Sequence, residues 1–203
     1  MNALETTIYQ LTQERNLPDA SLAALLETAD ADALLFSAAD TVRRQVYSDE
    51  VYIRGLIEFT NYCKNNCYYC GIRRDNQAAV RYRLDKAEIL ACCTEGYALG
   101  FRTFVLQGGE DPFYTDERIC EIVSAIRSAF PDCAITLSIG EKSKESYLAY
   151  YNAGANRYLL RHETADAAHY GKLHPETMRL QTRKECLFHL KEIGYQVGSG
   201  FMV

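Results

Sequence analysis

An α/β fold built from parallel strand–helix units, with a helical cap before it, is predicted by three observations. From residue 51 onward, short β-rich runs alternate with amphipathic helical segments, the pattern of βαβ units. Three of those helical segments stop at a glycine just before the next run: Gly100, Gly154 and Gly194. Glycine suits the left-handed position that ends a helix. Residues 1–48, by contrast, carry helical spacing and no β-rich run. The expected organisation is a helical N-terminal cap over 1–48 and an α/β domain over 49–203. Five strands of this kind suit either an open doubly wound sheet or part of a (β/α)8 barrel, and periodicity does not separate the two.

In the cap, Leu4, Ile8 and Leu11 fall at helical spacing. Pro18 and Asp19 form a start signal for a segment over Ser21–Thr28, and Asp30 or Asp32 starts a third that runs to about Tyr47. The predicted strands are Tyr52–Thr60, Arg102–Gln107, Ala134–Ile139, Asn156–Arg161 and Tyr195–Val203. Between them, Asp85–Leu99 opens with the capping-box pattern Asp85-x-x-Glu88. Asp116–Ala129 places Ile119, Ile122, Val123 and Ile126 on one face. Ser143 caps a helix to Ala153, and Thr182–Ile193 precedes the last strand. That strand ends the sequence at Val203 with no covering crossover behind it, so the natural protein is expected to continue.

Composition narrows the class. Hydrophobic residues make up 48% and charged residues 24% of 203 residues, which fits a globular domain with a sizeable core. A net charge of −5 gives no general basic surface for nucleic acid. The N-terminus lacks the basic and apolar regions of a secretory signal, and no apolar run approaches the ~20 residues that span a bilayer. A cytoplasmic location, with no membrane and no nucleic-acid partner, is expected. There, eight cysteines suit metal ligands or buried thiols better than disulfides. Cys92, Cys93, Cys120, Cys133 and Cys186 lie in apolar patterns and read as small buried hydrophobes.

The other three cysteines stand in eight residues, as Cys63-x3-Cys67-x2-Cys70, with Tyr69 before the last. Three thiolates hold three irons of a [4Fe–4S] cluster, which ordinarily takes four. A metal position left open is the mark of a reactive site. A zinc site needs a fourth ligand, and no second Cys-x2-Cys is present. A thioredoxin-like Cys67-x-x-Cys70 has no use for Cys63.

Ligands of parallel α/β folds gather at the C-terminal strand ends. Here those ends read Gln107-Gly108-Gly109-Glu110-Asp111, Ser138-Ile139-Gly140-Glu141 and Arg161-His162-Glu163-Thr164, and the first strand runs into the cysteine loop. Gly108 and Gly109 allow close backbone approach. Their carbonyls and Glu110 can receive an ammonium, Ser138 and Glu163 can hold hydroxyl or amino groups, and Arg161 and Arg183 can clamp a carboxylate. The plain alternatives are a turn for Gly-Gly, solvated charges for Glu110, Glu141, Glu163 and Arg183, and a hydrogen-bonding rather than ligating His162. Arg73-Arg74-Asp75-Asn76 reads either as a solvated loop or as one bonded around the cysteines.

The cysteine motif with Tyr69, and Gly108-Gly109-Glu110 at the second strand end, resemble the radical S-adenosylmethionine (radical SAM) superfamily. Residues 57–76, 105–114, 136–141 and 157–165 resemble, more narrowly, the HydE family of [FeFe]-hydrogenase H-cluster maturases. The resemblance implies a (β/α)8 TIM-barrel-type fold, of which about five strands are present. It implies a [4Fe–4S] cluster on Cys63, Cys67 and Cys70, with SAM on the fourth iron, cleaved reductively to a 5′-deoxyadenosyl radical. Tyr69, Gly108, Gly109, Glu110, Ser138, Glu163 and Arg183 would contact SAM, and Arg161 and Thr136 would face the substrate cavity. The implied partners are an organometallic or amino-acid-derived substrate, an electron donor such as ferredoxin or flavodoxin, and other hydrogenase maturases. The alternatives are the biotin synthase and methylornithine synthase branch of the superfamily, and a non-catalytic iron–sulfur scaffold or electron-transfer protein.

Overall fold

The computed structural model describes residues 2–203 and divides after Tyr52 into two units. The first holds α1 (Ala3–Glu14), α2 (Asp19–Glu27) and α3 (Asp32–Tyr47). Asn2 starts α1 with a capping box: its Oδ1 accepts from the Glu5 N–H at 2.8 Å, and Glu5 Oε2 accepts from the Asn2 N–H at 2.8 Å. Helix α2 begins earlier than Ser21, because Pro18 is its N-cap and Asp19 already lies in its first turn. Ile8, Leu17, Leu25 and Ala31 are buried, with Leu4, Leu11, Leu35 and Ala38 packed around them.

The second unit contains β1 (Gly55–Thr60), α4 (Lys86–Ala98), β2 (Thr103–Gly108), α5 (Asp116–Ala129), β3 (Ala134–Ser138), α6 (Lys144–Ala153), β4 (Arg157–Leu159), α7 (Ala167–Leu173), α8 (Leu180–Ile193) and β5 (Gln196–Gly198). The strands form one parallel sheet in the order β1-β2-β3-β4-β5. A doubly wound sheet reverses its order at a switch point. This order never reverses, so the winding is that of a (β/α) barrel.

Local chemistry sets the helix ends. Asp85 and Glu88 make the expected capping box on α4, Thr115 caps α5, and Ser143 caps α6. Gly100, Gly154 and Gly194 all have positive φ. Strand lengths differ from expectation. Strand β1 starts at Gly55 rather than Tyr52, because pairing begins opposite Phe104. Strand β5 stops at Gly198 rather than Val203, because its pairing partner β4 is three residues long; beyond it only Phe201 makes an isolated bridge, to Glu163. Apolar run length overstated both strands. The short helix α7 was not foreseen, and Cys92, expected inside, is exposed on α4. Cys93, Cys133 and Cys186 are buried.

Strand side chains alternate between faces. Ile57, Phe59, Phe104, Leu106, Ile135, Leu137, Tyr158 and Leu160 pack into a core with Ile89, Ile119, Val123, Ile126 and Leu190 from the helices. Fully burying one such isoleucine contributes about 1.5–3 kcal/mol. The opposite sheet face carries registered rows: Leu56, Val105, Thr136, Arg157 and Gln196 in one, and Glu58, Gln107 and Ser138 in the next toward the C-terminal rim. Two residues of strand, about 7 Å, separate the rows. No helix among the described residues is long and apolar enough to cross a membrane.

Candidate active site at the C-terminal strand ends

The cysteine loop leaves β1 and crosses the end of β2. That crossing explains Gly109. A Cβ there would stand 2.1 Å from the Tyr62 carbonyl oxygen and 2.7 Å from Cys63 Cβ. Only glycine lets the two backbones pass. Gly108 is tight for another reason, its would-be Cβ lying 2.7 Å from Thr60 Cγ2.

Backbone amides then address the first sulfur. Cys63 Sγ accepts from the Asn65 and Glu110 N–H groups, each at 3.4 Å. The Lys64 N–H donates to the Glu110 carbonyl at 2.9 Å, so loop and β2 end are joined in both directions. The Cys70 N–H donates to the Cys67 carbonyl at 3.1 Å, closing the turn that carries the last two thiols.

The three thiols share one electrostatic neighbourhood. Burial first, and then the neighbouring Cys63 and Cys70, together push Cys67 up to about 11. Burial also raises Cys63. Three thiolates packed this way are unfavourable alone and favourable around a cationic centre, because a coordinating metal deprotonates its thiols outright. No three His, Cys, Asp or Glu among the described residues surround one point as ligands of a single ion do. A cubane asks for something else, since each thiolate takes its own iron.

The segment after the cysteines bonds back to them. The Arg74 N–H donates to the Asn65 carbonyl at 2.8 Å, Arg73 Nη1 to the Cys70 carbonyl at 3.1 Å, and Asn66 Nδ2 to Asp75 at 2.8 Å. One cation gathers the whole loop: the Arg81 guanidinium donates to the carbonyls of Asn61, Ile72, Arg73 and Asn76.

A second cation ties the loop to β2. Arg83 grips Asp111 by two bonds, Nε to Oδ2 at 2.7 Å and Nη2 to Oδ1 at 2.9 Å, while Thr60 Oγ1 donates to the same carboxylate at 2.7 Å. The Arg83 guanidinium also lies 3.8 Å from the Tyr62 ring centroid. Burial disfavours the Asp111 carboxylate, but the bonds from Arg83, Thr60 and the Phe113 N–H outweigh it and hold the group below its ordinary 3.8. Such a group contributes stability above its ordinary value and loses it as pH falls through the lowered one. Asp111→Asn is therefore expected to cost about 1–3 kcal/mol near neutral pH, limited by the partial exposure of Arg83. Melting curves of variant and wild type should begin to converge as pH falls past the ordinary 3.8 and meet only below the lowered value; a gap that stays constant across that whole range would refute the assignment.

Around this loop stand the other strand ends. Glu110 is buried, and its Oε1 accepts the Glu141 N–H at 3.1 Å. Gly140 takes φ +79, and a Cβ there would meet Glu110 Cγ at 2.2 Å. The Tyr147 and Tyr158 hydroxyls both donate to the Gly140 carbonyl, at 3.4 and 2.8 Å, fixing that turn from the core side. Lys64 Nζ sits 3.2 Å from Glu110 Oε2, an ammonium on the carboxylate that the sequence marks as an ammonium receptor.

Glu163 is 7% exposed with φ +63, and its buried Oε2 has no hydrogen-bond partner. Its nearest cation is Arg161, with Nη2 at 3.3 Å; that nitrogen also donates to the Phe201 carbonyl at 2.9 Å. Arg183 is buried rather than on the surface. Its Nε meets Glu141 Oε1 at 2.5 Å and its Nη1 donates to the Arg161 carbonyl at 2.7 Å. Ser138 lies on the inner face beside Gln107, and Thr136 lies one row deeper. His162 Nδ1 bonds Ser199 Oγ at 2.9 Å.

Several contributors were not found from sequence. Arg81, Arg83 and Asp111 act on backbone and carboxylates whose proximity is tertiary. The turn between α7 and α8 is another: Met178 Sδ lies 3.6 Å from Cys67 Sγ, the Leu173 carbonyl accepts the Tyr68 N–H at 2.9 Å, and His174 faces Tyr69. The cap Asp166, which accepts the His169 N–H at 2.6 Å, was the available signal for α7.

These residues fit a cluster with an amino-acid-bearing ligand. Three thiols in one loop, amides aimed at sulfur, a buried carboxylate oxygen with an ion-pair neighbour but no hydrogen bond, and a glycine-lined crossing are the features that argue for it.

Comparison with known proteins gives the same direction. Residues 57–203 match the model of the Radical SAM superfamily. The chain is 47% identical over 169 residues to the [FeFe] hydrogenase maturase subunit HydE of Thermotoga maritima, covering 83% of this chain and 48% of that protein. It is 32% identical to 3-methylornithine synthase of Methanosarcina acetivorans, covering 92% of this chain and 53% of that one. The crystal structure of methylornithine synthase (PylB) superposes with a TM-score of 0.85 at 30% identity, over 96% of this chain and 58% of the other. The chain spans about half the length of the curated relatives it matches.

Proposed function

The chain belongs to the radical SAM superfamily, and from that premise we propose that it acts as a HydE-type maturase in assembly of the [FeFe]-hydrogenase cofactor. The observation that carries the enzyme reading is the join between Cys63 and Glu110: one N–H ties the candidate ammonium receptor to the first candidate iron ligand. The 47% identity to a HydE subunit supports the narrower reading.

On this reading Cys63, Cys67 and Cys70 hold a [4Fe–4S] cluster. When bound, that cluster supplies the electron for cleavage of SAM to a 5′-deoxyadenosyl radical, and the hard chemistry is the cofactor's own. This chain's residues bind and orient. Glu110 exchanges the Lys64 ammonium for the ligand's amino group. Glu163 Oε2, ion-paired with Arg161, gains the hydrogen bond it lacks. Arg183, held by Glu141, offers its Nη2 edge to a carboxylate. Tyr69 packs beside the adenine, with Gly108, Gly109 and Ser138 lining the remainder. Arg161 and Thr136 face the substrate, an organometallic or amino-acid-derived small molecule. A reduced ferredoxin or flavodoxin donates the electron, and partner maturases receive the product.

The test is anaerobic reconstitution of the full-length protein with iron and sulfide, then reduction with dithionite in the presence of SAM. Release of 5′-deoxyadenosine is expected; a loaded cluster that releases none would leave only the scaffold reading. Co-expression with hydrogenase and its partner maturases should restore hydrogen evolution. The 0.85 TM-score to methylornithine synthase favours a second reading, for which formation of 3-methylornithine would be the evidence.

A further inference from the structure

His174 lies in the turn after α7, a segment that touches the cysteine loop at three successive residues: Met178 at Cys67, Leu173 at Tyr68 and His174 at Tyr69. The histidine is 1% exposed. Its ring stacks on Tyr170 at 3.9 Å between centroids and 17° between planes, and meets the Tyr69 ring edge-on at 5.4 Å and 84°.

The hydrogen bonds fix its tautomer. Nδ1 lies 3.1 Å from the Tyr170 carbonyl, which can only accept, so Nδ1 carries the hydrogen. Nε2 then presents a lone pair, and the Tyr69 hydroxyl donates to it at 3.3 Å. Tyr69 is 44% exposed and has no other side-chain hydrogen bond among the described residues. This bond, together with the edge-on ring contact, therefore sets the direction of the Tyr69 ring.

We propose that His174 is a positioning residue for Tyr69, holding the ring in the orientation that receives the adenine of SAM. The inference rests on the reading of Tyr69 as an adenosyl contact. The role requires a neutral imidazole, because protonated Nε2 becomes a donor and opposes the Tyr69 hydroxyl. The surroundings keep it neutral. Burial lowers it below its ordinary 6.5 and Arg183 on α8 acts in the same direction, whereas the Tyr170 carbonyl on α7, Glu163 after β4 and Glu141 after β3 act against them. Tyr69 supplies the remaining facing group. Adenosyl affinity should thus hold at neutral pH and fall as pH drops through the lowered histidine value.

The experiment measures SAM binding to cluster-loaded full-length protein by anaerobic equilibrium dialysis from about pH 5 to about pH 8. His174→Phe and Tyr69→Phe should each weaken binding about threefold to tenfold, the worth of one hydrogen bond. The double variant should lose no more than either alone. His174→Gln, which returns an acceptor near the Nε2 position, should recover most of the affinity and bind independently of pH. Unchanged affinity and pH profile in Tyr69→Phe, which removes only a half-exposed hydroxyl, would overturn the proposal, as would additive losses. A second readout does not depend on SAM: fluorotyrosine at position 69 should show a ¹⁹F resonance that shifts with pH in the wild type and not in His174→Gln. If wild type fails to bind SAM, the function reading falls, and the fluorine titration alone decides the positioning role; a pH-invariant resonance would refute it.

Discussion

Cys67→Ala in the full-length protein is expected to abolish cluster assembly and 5′-deoxyadenosine formation together, while leaving the fold intact. The reason is an asymmetry between what the thiol does without iron and with it. In the protein alone, Cys67 is half-buried and its sulfur lies 3.6 Å from Met178 Sδ. Burial and two neighbouring thiols hold it protonated, up to about 11. Removing it relieves crowding and empties little volume, so stability should change by no more than about 0.5 kcal/mol, as at an ordinary partly exposed position. On the proposed reading the same sulfur is one of three protein ligands to the cluster. Loss of a supporting residue around a metal costs roughly 10–100-fold in affinity, and loss of a direct ligand should exceed that. Iron content, visible absorbance and the reduced-cluster paramagnetic signal measure the first effect, and thermal melting the second. Wild-type iron loading in this variant would refute the assignment of the loop.

Gly109→Ala is expected to be strongly damaging. The new methyl would lie 2.1 Å from the Tyr62 oxygen and 2.7 Å from Cys63 Cβ. Neither obstacle is a flexible side-chain tip; one is backbone and the other the first atom of the Cys63 side chain. Relief therefore requires lifting the cysteine loop off β2, which breaks the Cys63–Glu110 and Lys64–Glu110 bonds. A cost of about 2–4 kcal/mol follows from overpacking with lost hydrogen bonds, and melting should fall by roughly 5–15 °C. Gly71→Ala is the control: no atom lies within 4 Å of its would-be Cβ, and it should be nearly silent. Equal effects from the two would mean that the crossing does not constrain position 109.

Why these two positions differ was only half legible in the sequence. The thiols announce themselves by spacing, and the helix ends by their caps: Asp85 with Glu88, Thr115 and Ser143 all act within one turn of themselves. Strand–helix alternation is likewise local, and it gave the parallel α/β class. The choice between an open sheet and a barrel depends on strand order, a relation between distant segments, and needed the structure or a family resemblance. The same holds within the site. Gly109 reads in sequence as a ligand cradle, whereas its first duty is to let Tyr62 and Cys63 pass. Arg183 reads as a helix surface charge and is buried on Glu141. Asp111 and Arg83 are 28 residues apart and carry no joint pattern. Apolar runs overstated β1 and β5 because a strand ends where its neighbour stops pairing, which the run itself does not encode.

The four carbonyls gathered by Arg81 bear on how portable this cysteine motif is. The cation that shapes the loop lies downstream of it in sequence, on the far side of the last carbonyl it binds. A synthetic peptide cut at Asn76 would contain all three cysteines of the motif and none of this restraint, so its thiols would sample many arrangements. Extending the peptide by five residues, to Arg81, would supply a template for the loop as well as its thiols. The smallest transferable module is thus defined by a guanidinium rather than by the last sulfur.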